Sequence, residues 1–430
     1  MNLNKKTEKD EAISLREILV KGKKQSFSER VKTFSSFMSA LNNNQHNLYM
    51  RQVLSPADRE VTILDPFSNQ RKKMLMFGSN NYLGLANHPY VKEQVAQAIS
   101  DFGTGIGGPP LLNGYSKLYR ELEDRLAHLK KSESCLLFSS GYAANVGLLT
   151  ALINREDKIL YDELSHASFY DGLRMAKCNA ESFKHNNVID LQTLLYQNNA
   201  IINDVFVGVE GVYSMDGDLA PLDEIVSVCK KRNAILILDD AHGTGVLGDK
   251  GHGTAEHFGV EDNIDITMGT FSKTFAMSGG FVTASKDIVE YLRYFARSHM
   301  FSASLPPVVI KAVLAGLDVI ENEPQLISSL RKNIGYTSKK LKQIGFDINT
   351  HSPIIALHVP QDINVREAAF QFHSAGIFVN SIEYPAVPEN QQRFRISLMA
   401  SHTQKDIDHL LAVIEEIWSH AEQKLERKAS

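Results

Sequence analysis

The stretch from residue 135 to residue 284 alternates short apolar runs with helical segments, and this rhythm limits the possible fold more than any other feature. The run AILIL, which ends just before Asp239, is apolar at every position. Such a run is typical of a strand buried on both faces of a parallel sheet. The intervening helical segments are typical of βαβ units. We therefore predict an α/β fold with a mainly parallel sheet, with ligands bound at the carboxyl ends of its strands.

The chain has 430 residues, 43% of them hydrophobic, and is long enough for one large domain and a smaller one. The pattern changes after Pro306 and Pro307, where a long helical stretch precedes three short strands and a final helix. We predict an N-terminal arm at 1–48, a large α/β domain at 49–305 and a carboxyl-terminal α+β domain at 306–430. The last three strands are expected near 354–359, 377–380 and 394–398, and the final helix from Gln404.

Lys273 leaves an apolar strand in the segment MGTFSKTFAMSGGF and is followed by small residues. This position predicts an amine at a cramped, partly desolvated strand end. Burial lowers the pKa of a lysine because it disfavours the charged form, and the neutral amine is the nucleophile that condenses with the aldehyde of pyridoxal phosphate. Taken alone, the residue is better explained as a surface-loop lysine, because most lysines are solvated.

Asp239 and His242 follow the apolar run in AILILDDAHGTG. A carboxylate held against a pyridine nitrogen keeps the ring protonated, so that the ring withdraws electrons from an adjacent carbanion. We assign this role to Asp239, and a hydrogen bond to the ring hydroxyl to His242. The alternative is a metal site made of Asp239, Asp240 and His242, which is less favoured because no further His or Cys cluster has ligand spacing.

Three other strand ends carry small or polar residues. Gly141 and Tyr142 begin a small-residue helix after LFSS, and helix amino termini bind phosphate through free N–H groups and the helix dipole. His166 follows a short strand, from which its ring can lie flat on a cofactor, although a lone histidine there is more often a helix-start residue. Ser214 ends another buried strand and can orient His242 or the cofactor hydroxyl. These positions together favour one pyridoxal phosphate site.

A set of motifs in fixed order also carries a family resemblance. The motifs are GSNNYLGL, GTGIGGPPLLNGY, DELSHASFYDG, EGVYSMDGD, DDAHGTGVLG, GTFSKTFAMSGGFV, MFSASLPP and RFRISLMASHT. In them the sequence resembles the α-oxoamine synthases, pyridoxal-phosphate enzymes that join an amino acid to an acyl-CoA. The resemblance runs from about residue 49 to residue 417 and is strongest to bacterial serine palmitoyltransferases. It implies a fold-type I pyridoxal-phosphate-dependent transferase: a large domain with a mainly parallel sheet and a smaller carboxyl-terminal α+β domain.

The resemblance implies a role for each matching residue. Lys273 matches the lysine that bonds to the cofactor, Asp239 the pyridinium partner and His166 the ring-stacking histidine, and these are the expected catalytic residues. Arg395 matches the arginine that holds the amino-acid carboxylate, a group that guanidinium binds in bidentate fashion. Arg51 is a looser match to a substrate-contacting arginine. The positions matching cofactor contacts are Gly141, Tyr142, His166, Ser214, Asp239, His242, Thr270, Lys273 and Ser304.

One segment departs from the family pattern. Where relatives usually have Gly-Ser-Arg, this chain has Gly108, Pro109 and Pro110, so an arginine is absent and two rigid φ angles replace it. The departure concerns amino-acid or acyl specificity and leaves the cofactor chemistry unaffected.

The resemblance further implies a homodimer with the active site at the subunit interface. Ser304 lies in a stretch matching one that reaches the cofactor phosphate of the partner subunit. A hydroxyl from across the interface would add a hydrogen bond to a doubly charged group.

The activity implied is a decarboxylating condensation of an amino acid with an acyl-CoA to give an α-aminoketone, CoA and CO₂. Serine is the favoured amino acid, with glycine or alanine as alternatives, and related activities are those of 8-amino-7-oxononanoate synthase and 2-amino-3-ketobutyrate CoA ligase. An aminotransferase of the same fold would share Lys273 and Asp239. A non-catalytic scaffold subunit is the third hypothesis, but it has no need to retain these two residues and both His166 and His242.

Composition and charge limit the binding partners and the cell compartment that we expect for the protein. A net charge of −4 and a pI near 6.4 give no case for nucleic-acid binding. Three scattered cysteines indicate a reducing compartment, and no apolar run approaches the ~20 residues of a spanning helix, so we expect a cytoplasmic protein. The lysines before residue 32 are better explained by a solvated extension than by a peripheral membrane contact, which stays open as an alternative.

Overall fold

The computed structural model describes residues 15–197, 204–348, 350–361 and 363–429. Its strands are β1 (Gln52–Val53), β2 (Glu60–Leu64), β3 (Arg71–Met76), β4 (Ser134–Phe138), β5 (Lys158–Asp162), β6 (Asn179–Phe183), β7 (Val205–Glu210), β8 (Ile235–Asp239), β9 (Ile266–Thr270), β10 (Gly280–Ala284), β11 (Ile354–His358), β12 (Ile377–Phe378), β13 (Asn380–Ile382) and β14 (Arg393–Ser397).

The α-helices are α1 (Leu15–Gly22), α2 (Phe27–Asn43), α3 (Pro89–Phe102), α4 (Lys117–Leu129), α5 (Gly141–Leu152), α6 (Ala167–Ala176), α7 (Val188–Gln197), α8 (Leu222–Arg232), α9 (Thr254–Phe258), α10 (Lys286–Phe295), α11 (Arg297–Met300), α12 (Pro307–Asn322), α13 (Gln325–Gln343), α14 (Val365–Ser374) and α15 (Gln404–Ala429). None of the helices in the described ranges is both long enough and apolar enough to span a membrane.

The large sheet has seven strands in the order β4-β10-β9-β8-β7-β5-β6. All neighbours pair in parallel except β10, which runs antiparallel to both β4 and β9. Alternate residues of β8 belong to different apolar clusters. Ile237 packs on one face of the sheet, and Leu236 and Leu238 pack on the other. The sheet is therefore buried on both faces, which explains the uninterrupted apolar run and confirms the predicted α/β fold.

Two smaller sheets complete the architecture. Antiparallel strands β11, β14 and β13 form one, and β1, β2, β3 and β12 form the other. In the second sheet β3 pairs in parallel with β12, so a strand ending at Met76 lies beside one starting at Ile377. The strands predicted near 354–359, 377–380 and 394–398 are present, with the second divided into β12 and β13. The division into the three ranges predicted above remains a prediction.

Helices pack by apolar stripes, as the sequence pattern indicates. In α4, Leu118, Leu122, Leu126 and Leu129 are all buried and belong to the largest apolar cluster. This cluster also contains residues of α12, α13 and α15, so it joins the carboxyl-terminal part of the chain to the large sheet. The helix α12 begins at Pro307, where a proline lacks only an N–H that would have no helical acceptor.

The described part of the N-terminal arm forms α1 and α2. Ser26 and Glu29 make a reciprocal capping box at the start of α2, and Ile18, Phe37 and Leu41 form a small buried cluster between the two helices. The first fourteen residues, which contain several of the lysines considered for membrane contact, lie outside the described ranges.

Candidate active site

Most of the predicted cofactor-binding residues converge at the carboxyl edge of the large sheet. Strands β7, β8 and β9 are parallel neighbours that end at Glu210, Asp239 and Thr270. Glu210 pairs with Asp239 across β7 and β8. A cavity of about 320 Å³ opens at these ends, lined by Ser139, Ser140, Gly141, Tyr142, His166, Ser168, Glu210, Ser214, Asp239, Ala241, His242, Met268, Thr270, Ser272, Lys273, Ser278 and Gly279. We call it the strand-end cavity.

Lys273 lies three residues beyond the end of β9 and lines the strand-end cavity. Burial lowers the pKa of its amine to about 8, and the positive charge of Arg395 adds to this effect. Asp239 and Glu210 act in the opposite direction. A substantial neutral fraction is therefore present near pH 8, as nucleophilic attack on an aldehyde requires.

Asp239 is buried, with 4% of its surface exposed. One carboxylate oxygen accepts a hydrogen bond from Nδ2 of Asn145 at 2.9 Å, and the other accepts one from the backbone N–H of Ala241 at 3.1 Å. Burial raises the pKa of Asp239, while the bond from Asn145 and the charge of His166 oppose the rise. A cationic group placed against this carboxylate would favour its ionised form.

The same asparagine ties Asp239 to His166. Asn145 Nδ2 also donates to Ser168 Oγ at 2.9 Å, and that hydroxyl lies 2.7 Å from Nδ1 of His166. The backbone N–H of Ser168 donates to the same ring nitrogen at 3.2 Å. Nδ1 is therefore an acceptor, and a neutral His166 ring carries its proton on Nε2. Neither Asn145 nor Ser168 was predicted from the sequence.

His242 is buried at the other side of the same edge, with Nδ1 2.7 Å from the hydroxyl of Tyr82. Burial lowers its pKa well below the usual value, and the nearby charges of Lys273, Arg395 and His166 act in the same direction. The ring is therefore neutral near pH 7, and only one of its nitrogens carries a proton.

Asp240, the neighbour of Asp239, has a different role. Its carboxylate forms a buried ion pair with Lys130 at 2.7 Å and accepts a hydrogen bond from the Thr254 hydroxyl at 2.6 Å. Within the described ranges, no group of His, Cys, Asp and Glu side chains is arranged to hold a metal ion. The geometry thus gives no support to the alternative in which Asp239, Asp240 and His242 share a metal.

The amino terminus of α5 closes the cavity beside Thr270. Ser140 caps the helix by accepting from the backbone N–H of Ala143 at 3.0 Å, and Gly141 and Tyr142 lie in the first turn, where N–H groups have no helical acceptor. A Cβ at Gly141 would lie 2.9 Å from the Thr270 side chain, so only glycine allows this close approach. The Thr270 hydroxyl donates to the carbonyl of Gly279 at 3.0 Å.

A second cavity of about 310 Å³ adjoins the first and shares His166, Ser214 and Lys273 with it. We call it the arginine cavity, because both predicted substrate-binding arginines line it. Its other lining residues come from distant parts of the chain: Leu48, Tyr49, Asn80, Met215, Ala369, Val379, Asn380, Ser381 and Ile382.

Arg395 is a buried cation surrounded by neutral acceptors. It donates to the Ser214 carbonyl at 2.5 Å, to Oδ1 of Asn80 at 2.9 Å and to the Ser397 hydroxyl at 3.0 Å. Among the residues with described side chains, no carboxylate forms a salt bridge with it, whereas Arg393, two positions earlier, pairs with Asp216. A buried charge without a counter-ion is costly, so Arg395 is prepared for an anionic ligand.

Arg51 also lines the arginine cavity. Its guanidinium stacks on the Phe378 ring at 3.3 Å from the centroid and donates to the Val379 carbonyl at 2.9 Å. Burial lowers its pKa to about 10, and its Nε has no acceptor in the parts of the chain that the structure describes. It is a second cation that an anionic substrate group would stabilise.

Glu210, the first residue of the motif EGVYSMDGD, is a site residue that was not predicted from the sequence. It is 4% exposed, lines the strand-end cavity and faces Asp239 across the sheet. Burial raises its pKa well above the usual range, and the neighbouring Asp239 charge adds to the rise. The signal available was the same as for Asp239, a carboxylate ending an apolar strand.

Ser304 is the one predicted cofactor contact that lies away from the strand-end cavity of its own chain. Its backbone N–H donates to the carbonyl of Gly108 at 2.9 Å, and its hydroxyl donates to that of Gly114 at 2.8 Å. These bonds span the Pro110–Gly114 π-helical turn, which begins at the last of the three residues, Gly108, Pro109 and Pro110, that depart from the family pattern. Contact of Ser304 with a partner subunit's cofactor stays a prediction.

Comparison with known proteins assigns the family. The family model for aminotransferase class I and II matches residues 72–414. The chain belongs to this family. Similar proteins are a serine palmitoyltransferase from Bacteriovorax stolpii (40% identical, covering 80% of this chain and 82% of the relative) and an 8-amino-7-oxononanoate synthase from Lysinibacillus sphaericus (40% identical, covering 80% and 89%). Both relatives are α-oxoamine synthases, the group that the motifs resemble, and the chain is a member of it.

Among solved structures, a serine palmitoyltransferase from S. paucimobilis with a bound PLP–myriocin aldimine has a TM-score of 0.84 and 30% identity, covering 92% of this chain and 99% of that one. The predicted fold-type I architecture and pyridoxal phosphate dependence of this family member are thereby confirmed. The comparisons give no support to the alternative of a peripheral membrane contact.

Proposed function

We propose that this protein catalyses the decarboxylating condensation of an amino acid, with serine favoured, and an acyl-CoA, releasing CoA, CO₂ and an α-aminoketone. The observation that carries the proposal is the convergence of Lys273, Asp239 and Arg395 on two adjoining cavities. The similarity to serine palmitoyltransferases supports serine as the amino acid. The equal identity to an 8-amino-7-oxononanoate synthase favours that activity as the second candidate.

The strand-end cavity fits pyridoxal phosphate by the chemistry of its lining. Asp239 supplies a buried carboxylate for the pyridinium nitrogen, His166 a ring for stacking, and His242 with Ser214 the polar groups for the ring hydroxyl. The first turn of α5, at Gly141 and Tyr142, supplies hydrogen-bond donors for the phosphate, and Thr270, whose hydroxyl proton is donated to the carbonyl of Gly279, lines the cavity beside it. When bound, the cofactor withdraws electrons from the carbon next to the substrate nitrogen.

Arg395 binds the carboxylate of the amino acid in this proposal. Its guanidinium is held by three neutral acceptors, so its orientation is set before the substrate arrives. Anchoring the carboxylate fixes which bond at the α-carbon stands across the cofactor plane, and orientation decides which bond breaks. Arg51 supplies a second positive charge at the same cavity.

Lys273 accepts the proton from the α-carbon of the substrate in this proposal. Lys273 lines both cavities, and the lowered pKa of its amine gives it a neutral form that accepts the proton from the substrate α-carbon. With the cofactor bound, the negative charge of Asp239 would favour a protonated ring, which would stabilise the α-carbon as it attacks the thioester carbonyl and the CoA thiolate leaves. Loss of CO₂ and return of a proton to the α-carbon then give the α-aminoketone.

We also propose a homodimer in which Ser304 approaches the cofactor phosphate of the partner subunit. Large apolar side chains stand exposed beside the Ser304 segment, with Leu112 82% exposed and Phe301 71% exposed. Exposed apolar side chains grouped in this way are typical of a protein–protein interface. If cofactor and partner stabilise each other, the melting temperature of the dimer rises with pyridoxal phosphate.

The activity is tested by mixing the cofactor-loaded protein with serine, glycine or alanine and with acyl-CoAs of increasing length, and then measuring CoA thiol release and CO₂. We expect both products, in equal amounts, to depend on the amino acid. Formation of a pyridoxamine form with a keto-acid acceptor, without CoA release, would instead indicate an aminotransferase.

A further inference from the structure

The motif GSNNYLGL, residues 78–85, contributes Asn80 and Tyr82, and the proposed chemistry gives Tyr82 no role. Tyr82 is fully buried, at 0% exposure, and its hydroxyl lies 2.7 Å from Nδ1 of His242. The same hydroxyl lies 3.1 Å from Oδ1 of Asn80. That oxygen also accepts from Arg395 at 2.9 Å. A continuous chain of hydrogen bonds therefore joins His242 in the strand-end cavity to Arg395 in the arginine cavity.

The donors and acceptors in this chain can be assigned from the chemistry of its members. Arg395 can only donate, so the Asn80 atom facing it is the amide oxygen. The Tyr82 hydroxyl has one proton, and its two acceptors are that oxygen and Nδ1 of His242. The contact to Nδ1 is the shorter by 0.4 Å, from distances of 2.7 and 3.1 Å. Donation to Nδ1 leaves Nε2 of a neutral imidazole as the protonated nitrogen.

We propose that Tyr82 is a positioning residue that sets the tautomer of His242, directing an Nε2–H donor to the ring hydroxyl of the cofactor. The proposal rests on the proposed function for the identity of that cofactor. His242 is 3% exposed, and burial, together with the nearby Lys273, Arg395 and His166, opposes a second proton on its ring. Because the neutral ring carries one proton, the group that contacts Nδ1 determines whether Nε2 is a hydrogen-bond donor or an acceptor. Asn80 and Arg395 restrain the hydroxyl from its other side.

Tyr82→Phe tests this, because it removes only the hydroxyl of a buried ring. Tyr119→Phe is the matched control: Tyr119 is 1% exposed, and its hydroxyl donates to a backbone carbonyl, that of Leu137, at 3.1 Å. The readout is the absorbance of the bound cofactor as a function of pH. Loss of one directed hydrogen bond should move the titration of this absorbance by about half to one pH unit in Tyr82→Phe. Tyr119→Phe should match the wild type. A Tyr82→Phe titration that superimposes on the wild type would overturn the proposal.

A second measurement needs no variant of Tyr82. In wild-type protein labelled with ¹⁵N-histidine, with the resonance assigned by its loss in His242→Gln, Nδ1 should show the shift of an unprotonated nitrogen and Nε2 that of a protonated one. The opposite pattern would overturn the proposal, even if Tyr82→Phe does not fold. If the wild-type protein takes up no pyridoxal phosphate, the proposed function fails, while the same ¹⁵N shifts of the cofactor-free protein still decide the tautomer.

Discussion

The two adjoining cavities differ in how their charges are balanced. In the strand-end cavity the carboxylate of Asp239 has two hydrogen-bond donors, and Glu210 has a raised pKa that favours its neutral form. In the arginine cavity Arg395 and Arg51 contact carbonyls, hydroxyls or an aromatic ring, and within the described ranges neither has a salt-bridge partner. The first cavity is arranged to hold a ring system in place, whereas the second is incomplete until an anion enters.

The two cavities are also built from different parts of the chain. The strand-end cavity is built from strand ends and loops of one sheet, within residues 139–279. Besides His166 and Lys273, which it shares with the strand-end cavity, the arginine cavity brings together segments near residues 48–51, 80, 214–215 and 369–395. A strand end can be recognised locally, but a cavity made from four distant segments depends on how the smaller sheets pack. Variants that affect one cavity and spare the other therefore test whether the division is real.

The largest effect is expected from Lys273→Ala, because Lys273 is shared by both cavities. The variant removes both the amine that bonds to the cofactor and the proton acceptor at the α-carbon. We expect the cofactor absorbance of the purified protein to be lost or changed and activity to fall by about a thousandfold or more. Lys117→Ala, at an exposed lysine that starts α4, should leave both properties unchanged. Comparable activity in the two variants would remove Lys273 from the mechanism.

Asp239→Asn should abolish most turnover without unfolding the protein. A neutral amide cannot hold a positive charge on the ring, so we expect the cofactor to bind and activity to drop at least about 100-fold. The adjacent Asp240→Asn is the control. It should lower stability, because it leaves Lys130 without its counter-ion. Breaking such a buried pair costs about 3–5 kcal/mol, which should appear in thermal or urea unfolding. Equal loss of stability in both variants would contradict separate roles for the two aspartates.

The contrast between the cavities also explains what could be predicted from sequence. Lys273, Asp239 and His242 each follow an apolar run, so the sheet brings them together, and the structure places them in one cavity as predicted. Asn145 was missed although it carries the only amide side chain in the small and apolar helix GYAANVGLLTAL. The contact between Asn80 and Arg395 joins residues 315 positions apart, and no local pattern indicates it.

Arg395→Gln should affect substrate binding and spare the cofactor. A charge-assisted hydrogen bond contributes about 1.5–3 kcal/mol, so we expect KM for the amino acid to rise by about 10- to 100-fold while the cofactor absorbance is retained. The control is Arg393→Gln, because Arg393 lies two residues earlier on the same strand and is paired with Asp216. That variant should lower stability and leave KM near the wild-type value. A KM that rises equally in both would show that the strand, and not Arg395, is responsible.

The smallest effect is expected from Glu210→Gln, and it tests whether the strand-end cavity carries one negative charge or two. Burial raises the pKa of Glu210, and like charges directly opposite each other on neighbouring strands are unfavourable, so its carboxyl stays protonated beside Asp239. Glutamine has the same size and is neutral, so activity near pH 7 should stay within about fivefold of the wild type, the factor that ~1 kcal/mol represents.

The pH dependence of stability shows whether the Glu210 carboxyl is protonated in the folded protein. A carboxyl whose folded-state pKa is raised binds more protons in the folded than in the unfolded protein, so its effect on the free energy of unfolding becomes less favourable as pH rises above its unfolded pKa. Glu210→Gln removes that loss. The melting temperature of the cofactor-loaded variant, relative to the wild type, should therefore increase between pH 5 and pH 8. A difference that stays constant or decreases over this range would mean that Glu210 is ionised in the folded protein, and the strand-end cavity would then need a second cation.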